Sequence, residues 1–197
     1  MQSYIVNGVR SFKGIQKIAL YQPLTILDLV VYNNEKKDLQ RISETYCKTP
    51  YQTIHTQIVK TSIAMFLCEF LSKNLKEESH PEPLFDFIET SLMKFDAQVE
   101  NIENFHLSFL LKFGNYLGFA TSSANELMAA IPEPLKSWSN FNLNIIDQLM
   151  NNNFFPNFQI KNIERKAVLD ILITFYNIQL ERNTDYKSIG VLNEVLK

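Results

Sequence analysis

The sequence is poor in the residues that cross-link a chain or break it into turns. Its 197 residues include only two cysteines, Cys47 and Cys68, too few for a disulfide framework or a four-thiolate zinc site. Five glycines and seven prolines argue against a fold dominated by tight turns. No apolar run approaches the roughly 20 residues of a membrane span. Charges interrupt the apolar runs of residues 1–20, so these residues lack the order of a secretory signal peptide. We therefore expect a cytoplasmic protein that makes no membrane contact.

Motifs that mark common enzyme sites are also missing. There is no glycine-rich phosphate loop, no Gly-x-Ser-x-Gly and no His-Glu-x-x-His. The three histidines are scattered, and His106 lies in a strongly apolar segment, which favours a hydrogen-bonded core histidine over a ligand or a general base. We predict no catalytic residues, no metal site, no cofactor and no enzymatic activity. An enzyme would need a convergent polar pocket that the sequence does not display.

Charge is distributed unevenly along the chain. The net charge is -2, yet residues 1–48 hold seven Lys and Arg against four Asp and Glu, a net of +3, and the remainder carries -5. The candidate nucleic-acid ligands in the basic part are Arg10, Lys13, Lys17, Lys36, Lys37 and Arg41. Cations that neutralise phosphates and aromatic rings that stack on bases are what single-stranded nucleic acid binding needs.

Aromatic residues are interleaved with the first group of cations. Tyr4, Phe12 and Tyr21 are the candidate stacking residues. The alternative is that Phe12 and Tyr21 pack inward while the lysines keep a sheet edge soluble. A chance unevenness of solvated charges also remains open at this point.

Three strands and a series of helices follow from residue patterns. Strands are predicted within residues 3–9, over residues 26–32 and over residues 39–47. We expect antiparallel, meander-like pairing, because the connections look too short for helical crossovers. Apolar residues spaced by three and four predict helices near residues 63–75, 84–95, 105–117, 124–130, 143–150, 162–180 and 188–196.

Local signals also predict how some helices begin and end. Gly118 is a predicted C-cap, and Asn162 a predicted N-cap with Glu164 in the first turn. The segment from Phe105 to Leu117 is apolar nearly all round, which is typical of the central helix of a bundle. The fold class is thus α+β and mostly α, divided into a β-rich head at residues 1–48 and a helical domain at residues 49–197.

Several residue strings, in their order and spacing, resemble the RecO family of recombination mediators, most closely the forms of Bacteroidetes-type bacteria. The strings span residues 7–10, 20–24, 29–32, 39–42, 50–54, 60–69, 84–87, 104–111, 116–119 and 187–196. The resemblance covers most of the chain and is weakest at residues 120–158. It implies an N-terminal OB-fold, here a partial one of three strands, followed by a helical-bundle C-terminal domain.

The resemblance also implies a function. RecO proteins bind single- and double-stranded DNA, anneal complementary strands and work with RecR and single-strand binding protein to load RecA. Only Arg10, within the Gly-Val-Arg segment, and the following Lys13 and Lys17 carry over by position. Lys36, Lys37 and Arg41 rest on the charge argument alone.

Two departures from the family shape our expectations. An OB-fold has five strands, and the family carries further residues before the segment that matches Asn7–Arg10, so we expect only part of the barrel here. Zinc-bearing relatives place four cysteines after the segment that matches Leu117–Phe119, and residues 120–158 contain none, so we predict no zinc. The alternative function is a helical protein-interaction module whose incomplete β-head has lost DNA binding.

Overall fold

The chain forms a small sheet followed by a helical body. The computed structural model describes residues 3–6, 15–33, 39–75, 82–132 and 140–197. The strands are β1 (Ser3–Ile5), β2 (Leu27–Tyr32) and β3 (Leu39–Cys47). The helices are α1 (Ile15–Leu20), α2 (Ile58–Asn74), α3 (Glu82–Ala97), α4 (Phe105–Phe113), α5 (Ala124–Ala129), α6 (Asn140–Asn151), α7 (Asn162–Gln179) and α8 (Ser188–Val195), and a 3-10 turn spans Gly114–Leu117. The predicted α+β, mostly α class is confirmed.

The central strand of the sheet is β3, in the order β1-β3-β2. Strands β2 and β3 run antiparallel, from Leu27 opposite Cys47 to Tyr32 opposite Arg41. Strand β1 instead runs parallel to β3, with Ile5 opposite Arg41. The predicted antiparallel meander is therefore wrong for this pair. The physical reason is helix α1, which lengthens the connection between β1 and β2 enough for the chain to cross to the other side of β3.

A β-bulge decides which side chains share a face of the sheet. The register shifts between Val30, opposite Glu44, and Val31, opposite Ile42, so Ser43 is the extra residue. Because side chains alternate along each strand, one side of the sheet, called the outer face, carries only exposed side chains among those that the structure describes. These are Ile5, Asp28, Val30, Tyr32, Leu39, Arg41, Glu44 and Tyr46. The opposite side, called the inner face, carries mostly half-buried or buried ones, among them Leu27, Val31, Gln40, Ile42, Thr45 and Cys47.

Helix α4 lies at the centre of the helical body, as its all-round apolar sequence predicts. Seven of its nine residues are buried. The Phe105 ring stacks on Phe95 of α3 with centroids 4.1 Å apart, and Phe113 meets Phe70 of α2 edge to face. Large aromatic side chains contribute most to a core when their rings interlock in this way. The helix therefore joins α2 and α3 through aromatic contacts.

Two helix ends follow local sequence signals. Gly118 has φ 80°, in the left-handed region that favours glycine, and ends the turn after α4 as predicted. Helix α7 begins at Asn162, so the residue before it, Lys161, takes the N-cap position assigned to Asn162 from sequence. The Glu164 carboxylate accepts a 2.8 Å hydrogen bond from the Lys161 backbone N–H, which satisfies a donor at this helix start.

The sheet and the helical body meet at the segment that follows β3. The Tyr51 hydroxyl donates to the Leu24 carbonyl at 3.1 Å, and His55 Nε2 lies 3.0 Å from the Pro23 carbonyl. An ion pair of 3.0 Å joins Lys48 to Glu89 of α3. The chain leaving the sheet is thus bonded to the turn before β2 and to the body. The division into domains at residues 1–48 and 49–197 stays a prediction.

Candidate nucleic-acid interface

The predicted DNA-binding residues are only partly within the described chain. Arg10, Lys13, Lys36 and Lys37 lie outside the described residues. Lys17 belongs to helix α1 rather than to the loop expected from sequence, and only its backbone is described. Arg41 lies in β3 on the outer face and is exposed. The structure therefore supplies one cation around which an interface can be built, and the other assignments stay predictions.

Arg41 lies beside an exposed aromatic ring. Its partner across the β2–β3 pair is Tyr32, and the guanidinium carbon is 6.0 Å from the centroid of the Tyr32 ring. That distance is at the outer limit of a cation–π contact. Tyr32 is 62% exposed, the largest exposure among the apolar and aromatic residues of the sheet. The pair sits where β2 ends and β3 begins, which we call the hairpin end of the outer face.

The other end of the outer face is acidic. Asp28 lies opposite Tyr46 in the register, and Glu44 lies opposite Val30. The Tyr46 hydroxyl donates a hydrogen bond to the Glu44 carboxylate. This bond, followed by the negative charge of Glu44, raises the pKa of Tyr46. The outer face therefore changes from cationic at the hairpin end to anionic at the far end, and only the hairpin end suits a phosphate.

The aromatic residues chosen from sequence lie elsewhere. The Tyr21 hydroxyl is 2.6 Å from Thr45 Oγ1, so Tyr21 packs half-buried against the inner face. Tyr4 lies opposite Gln40, also on the inner face, and Phe12 is outside the described residues. The structure thus points to Tyr32, which sequence reasoning missed. Its alternation with Val31 was a usable signal, but without the register it could not reveal which face is outward.

His106 is a core residue, as predicted from sequence, with an unexpected environment. Its side chain is 0% exposed, and the Phe66 ring meets it edge to face at 6.0 Å. Neither ring nitrogen has a hydrogen-bond partner of good geometry among the described residues. Burial, with a smaller contribution from the Arg165 charge, lowers the pKa of His106 to about 3, while the Glu103 backbone opposes the shift. A neutral, enclosed imidazole of this kind cannot reach a surface ligand.

The described residues form neither a metal-binding group nor a membrane-spanning helix. Within the described ranges, no three His, Cys, Asp or Glu side chains come together as a metal-binding group. No helix in the described part of the chain is both long and apolar enough to cross a bilayer.

Comparison with known proteins identifies the family. The family model "Recombination protein O C terminal" matches residues 55–127, from His55 before α2 to Leu127 in α5. A protein of Flavobacterium johnsoniae called DNA repair protein RecO is 34% identical to this chain, over 99% of this chain and 86% of that protein. The chain belongs to the RecO family.

Other RecO proteins show the same extent of similarity. The Flavobacterium psychrophilum protein is 33% identical, over 99% of this chain and 87% of its own length. The Phocaeicola vulgatus protein is 31% identical, over 98% of this chain and 86% of its own length. No solved structure matches the chain. The RecO resemblance found in the residue strings is confirmed, and with it the fold class of a partial OB-fold followed by a helical domain.

Proposed function

We propose that this RecO-family protein binds single- and double-stranded DNA and anneals complementary strands without catalysing a reaction. With RecR and single-strand binding protein it would help to load RecA, in the cytoplasm where these partners act. Membership in a family of DNA repair proteins supports the proposal. The observation that carries it is the exposed Tyr32–Arg41 pair at the hairpin end of the outer face.

The charge pattern around this pair supports a DNA-binding role. The sequence places Lys36 and Lys37 between Tyr32 and Arg41, and places Arg10 and Lys13 between β1 and α1. Cations clustered in sequence can neutralise several phosphates and release their counterions. Annealing needs no covalent chemistry, because lowering the repulsion between two strands is enough to favour their pairing.

A salt titration with charge-removing variants tests the proposal. Binding of a fluorescein-labelled single strand is measured by anisotropy across a range of salt concentrations. Replacing Arg10, Lys13 and Lys17 by Gln should lower the affinity and reduce the salt slope by about 0.7 for each phosphate that is no longer neutralised. The same result is expected for Gln at Lys36, Lys37 and Arg41. The matched control places Gln at Lys94, Lys161 and Lys187, which are exposed lysines of the helical body, and should bind like the parent protein.

The same titration tests whether the DNA interface lies on the β-rich head. If both head triples bind like the parent protein, or if the control triple weakens binding as strongly, the DNA interface does not lie on the head. Strand annealing, followed by the fluorescence of two complementary labelled strands, should fall with DNA affinity in the same variants.

The second candidate is a helical protein-interaction module whose β-head no longer binds DNA. The mixed charge of the outer face favours it, because Asp28 and Glu44 share that face with Arg41 and repel phosphates. Capture of RecR or single-strand binding protein by a parent chain that shows no DNA affinity at low salt would support this candidate and contradict the first.

A further inference from the structure

We propose that Tyr32 is the base-stacking residue of the interface and that Arg41 binds the neighbouring phosphate, so that this site takes unpaired rather than paired DNA. The inference rests on the proposed DNA binding and adds the residue that distinguishes an unpaired strand from a duplex. The outer face presents two strongly exposed tyrosines, and their surroundings assign the role to one of them.

Tyr32 offers an open ring beside a cation. With 62% of its surface exposed, the side chain can meet a base, and the Arg41 guanidinium at 6.0 Å is placed to meet the phosphate attached to that base. Bases stack on aromatic side chains whatever their identity, since every base has a π-face. In a duplex both faces of a base are covered by its neighbours, so only an unpaired or splayed base can stack in this way. Tyr32 therefore distinguishes single strands from duplexes.

Tyr46 has a similar exposure but the opposite electrostatic setting. It is 58% exposed on the same outer face, its hydroxyl donates to Glu44, and Asp28 lies opposite it in the register. A base stacked on this ring would carry its phosphate toward two carboxylates, and Lys48, the lysine just beyond β3 at this end, is already paired with Glu89 of α3. Like charges at short range are repulsive. Tyr46 thus serves as an internal control for Tyr32 on the same face of the sheet.

The separation between the two ends limits the site to the hairpin end. Asp28 and Tyr32 are four positions apart in β2, and a strand rises about 3.3 Å per residue, so about 13 Å lie between them. This exceeds the Debye length of about 8 Å at physiological salt, so Asp28 weakens binding at the Tyr32–Arg41 pair only slightly. Glu44 lies nearer, opposite Val30, but its carboxylate is bonded to Tyr46, on the side away from Arg41. A phosphate at the far end would still be repelled by Asp28 and Glu44, because it would lie at short range from both carboxylates.

Two matched substitutions test the inference in the full chain. Tyr32→Leu and Tyr46→Leu are compared by anisotropy on three labelled probes: a single strand of about 15 nucleotides, the duplex of the same sequence, and an abasic strand of equal length. Tyr32→Leu should weaken binding to the intact single strand by roughly 5- to 150-fold. It should leave the duplex and the abasic strand unchanged, because neither offers a free base. Tyr46→Leu should bind all three probes like the parent, and Tyr32→Phe should restore binding because it keeps the ring.

The outcomes separate this inference from the function on which it rests. If the parent chain binds none of the probes, the proposed DNA binding itself is wrong. If the parent binds but Tyr32→Leu binds the single strand equally well, or is weakened as much on the abasic strand, stacking on Tyr32 is excluded while DNA binding stands. An equal weakening in Tyr46→Leu would contradict the assignment to the hairpin end. Unchanged melting of both Leu variants, followed by circular dichroism, shows that any weakening belongs to the site.

Discussion

The ammonium group of Lys60, a side chain that is 0% exposed, donates a 2.8 Å hydrogen bond to the backbone carbonyl of Asp96. The same group donates to Thr53 Oγ1 and to the Gln98 carbonyl, each at 2.6 Å. The Asp96 carboxylate in turn accepts the backbone N–H groups of Gln52, Thr53 and Ile54. Helix α2, the end of α3 and the chain leaving the sheet are thereby joined in one polar network.

Removing the ammonium group of Lys60 should destabilise the protein. Burial lowers the pKa of Lys60, and the Asp96 charge opposes that shift. Lys60→Met keeps the apolar stem but removes the ammonium donor to the Gln98 carbonyl and one of the two donors to the Asp96 carbonyl, at a cost of about 3 kcal/mol in the free energy of unfolding. Urea unfolding measures this. Lys197→Met, which removes an exposed ion pair at the chain end, is the control and should change stability by less than about 0.5 kcal/mol. Equal midpoints for the two variants would contradict a stabilising role for the network.

His106 should make stability fall below neutral pH. The pKa of His106 drops from 6.5 to about 3 on folding. Between these values the unfolded chain binds a proton that the folded chain does not, so stability is complete above pH 6.5 and declines as the pH falls toward 3. The slope is about 1.4 kcal/mol per pH unit. His106→Leu should remove this part of the pH dependence, as measured by urea unfolding at several pH values between 7.5 and 5.

At neutral pH the same variant should be as stable as the parent or more so. The reason is that His106→Leu removes two buried nitrogens without partners of good geometry among the described residues. The control is His55→Gln, at a position that is only half-buried, and it should keep the pH dependence of the free energy of unfolding seen in the parent protein. An unaltered pH slope in His106→Leu would show that another group is responsible.

Glu69 should hold the C-terminal helix α8 against α2. Its carboxylate accepts hydrogen bonds from the Ser188 and Lys187 backbone N–H groups at 2.8 and 3.0 Å, and from Lys73 Nζ at 2.6 Å. Burial alone would raise the pKa of Glu69, but these bonds and the Ser188 hydroxyl lower it from 4.5 to about 2. The stabilisation is therefore complete above pH 4.5 and is lost as the pH falls toward 2.

Glu69→Gln should loosen α8 at neutral pH. The amide keeps one acceptor oxygen but loses the charge, at an expected cost of about 1–2 kcal/mol. Amide hydrogen exchange over residues 188–195 should become faster, while exchange in α4 stays slow. Glu194→Gln, an exposed position within α8 itself, should leave the exchange unchanged. Equal exchange rates in the two variants would exclude the proposed role of Glu69.

Replacing each of two glycines by alanine should change the free energy of unfolding in opposite directions. Gly118 has φ 80°, and an added Cβ would meet no atom within 4 Å, so Gly118→Ala should cost about 1 kcal/mol through backbone strain alone. Gly190 lies inside α8 with equally open surroundings, and Gly190→Ala should stabilise the protein by about 0.5–1 kcal/mol. Thermal unfolding of the pair checks both signs, and a destabilised Gly190→Ala would contradict the helical assignment of that residue.

Much of the fold could be predicted from local patterns. The alternating residues of 39–47 predict strand β3 with the bounds that the structure has, because alternation is a local signal. The end at Gly118 also rests on neighbouring residues. The parallel pairing of β1 with β3 could not be predicted, because it depends on a crossover whose helix, α1, has only six residues and carries a weak periodic signal.

The sequence by itself determined the family, the helical body and the uneven charge, since all three are properties of residue order. Only the tertiary structure decided that Tyr32 rather than Tyr21 faces outward beside Arg41, because strand register and the bulge at Ser43 set that face. It likewise decided that Lys60 is buried with its hydrogen bonds satisfied. That environment brings Thr53 to Asp96 across 43 positions of the chain, a contact that no local pattern encodes.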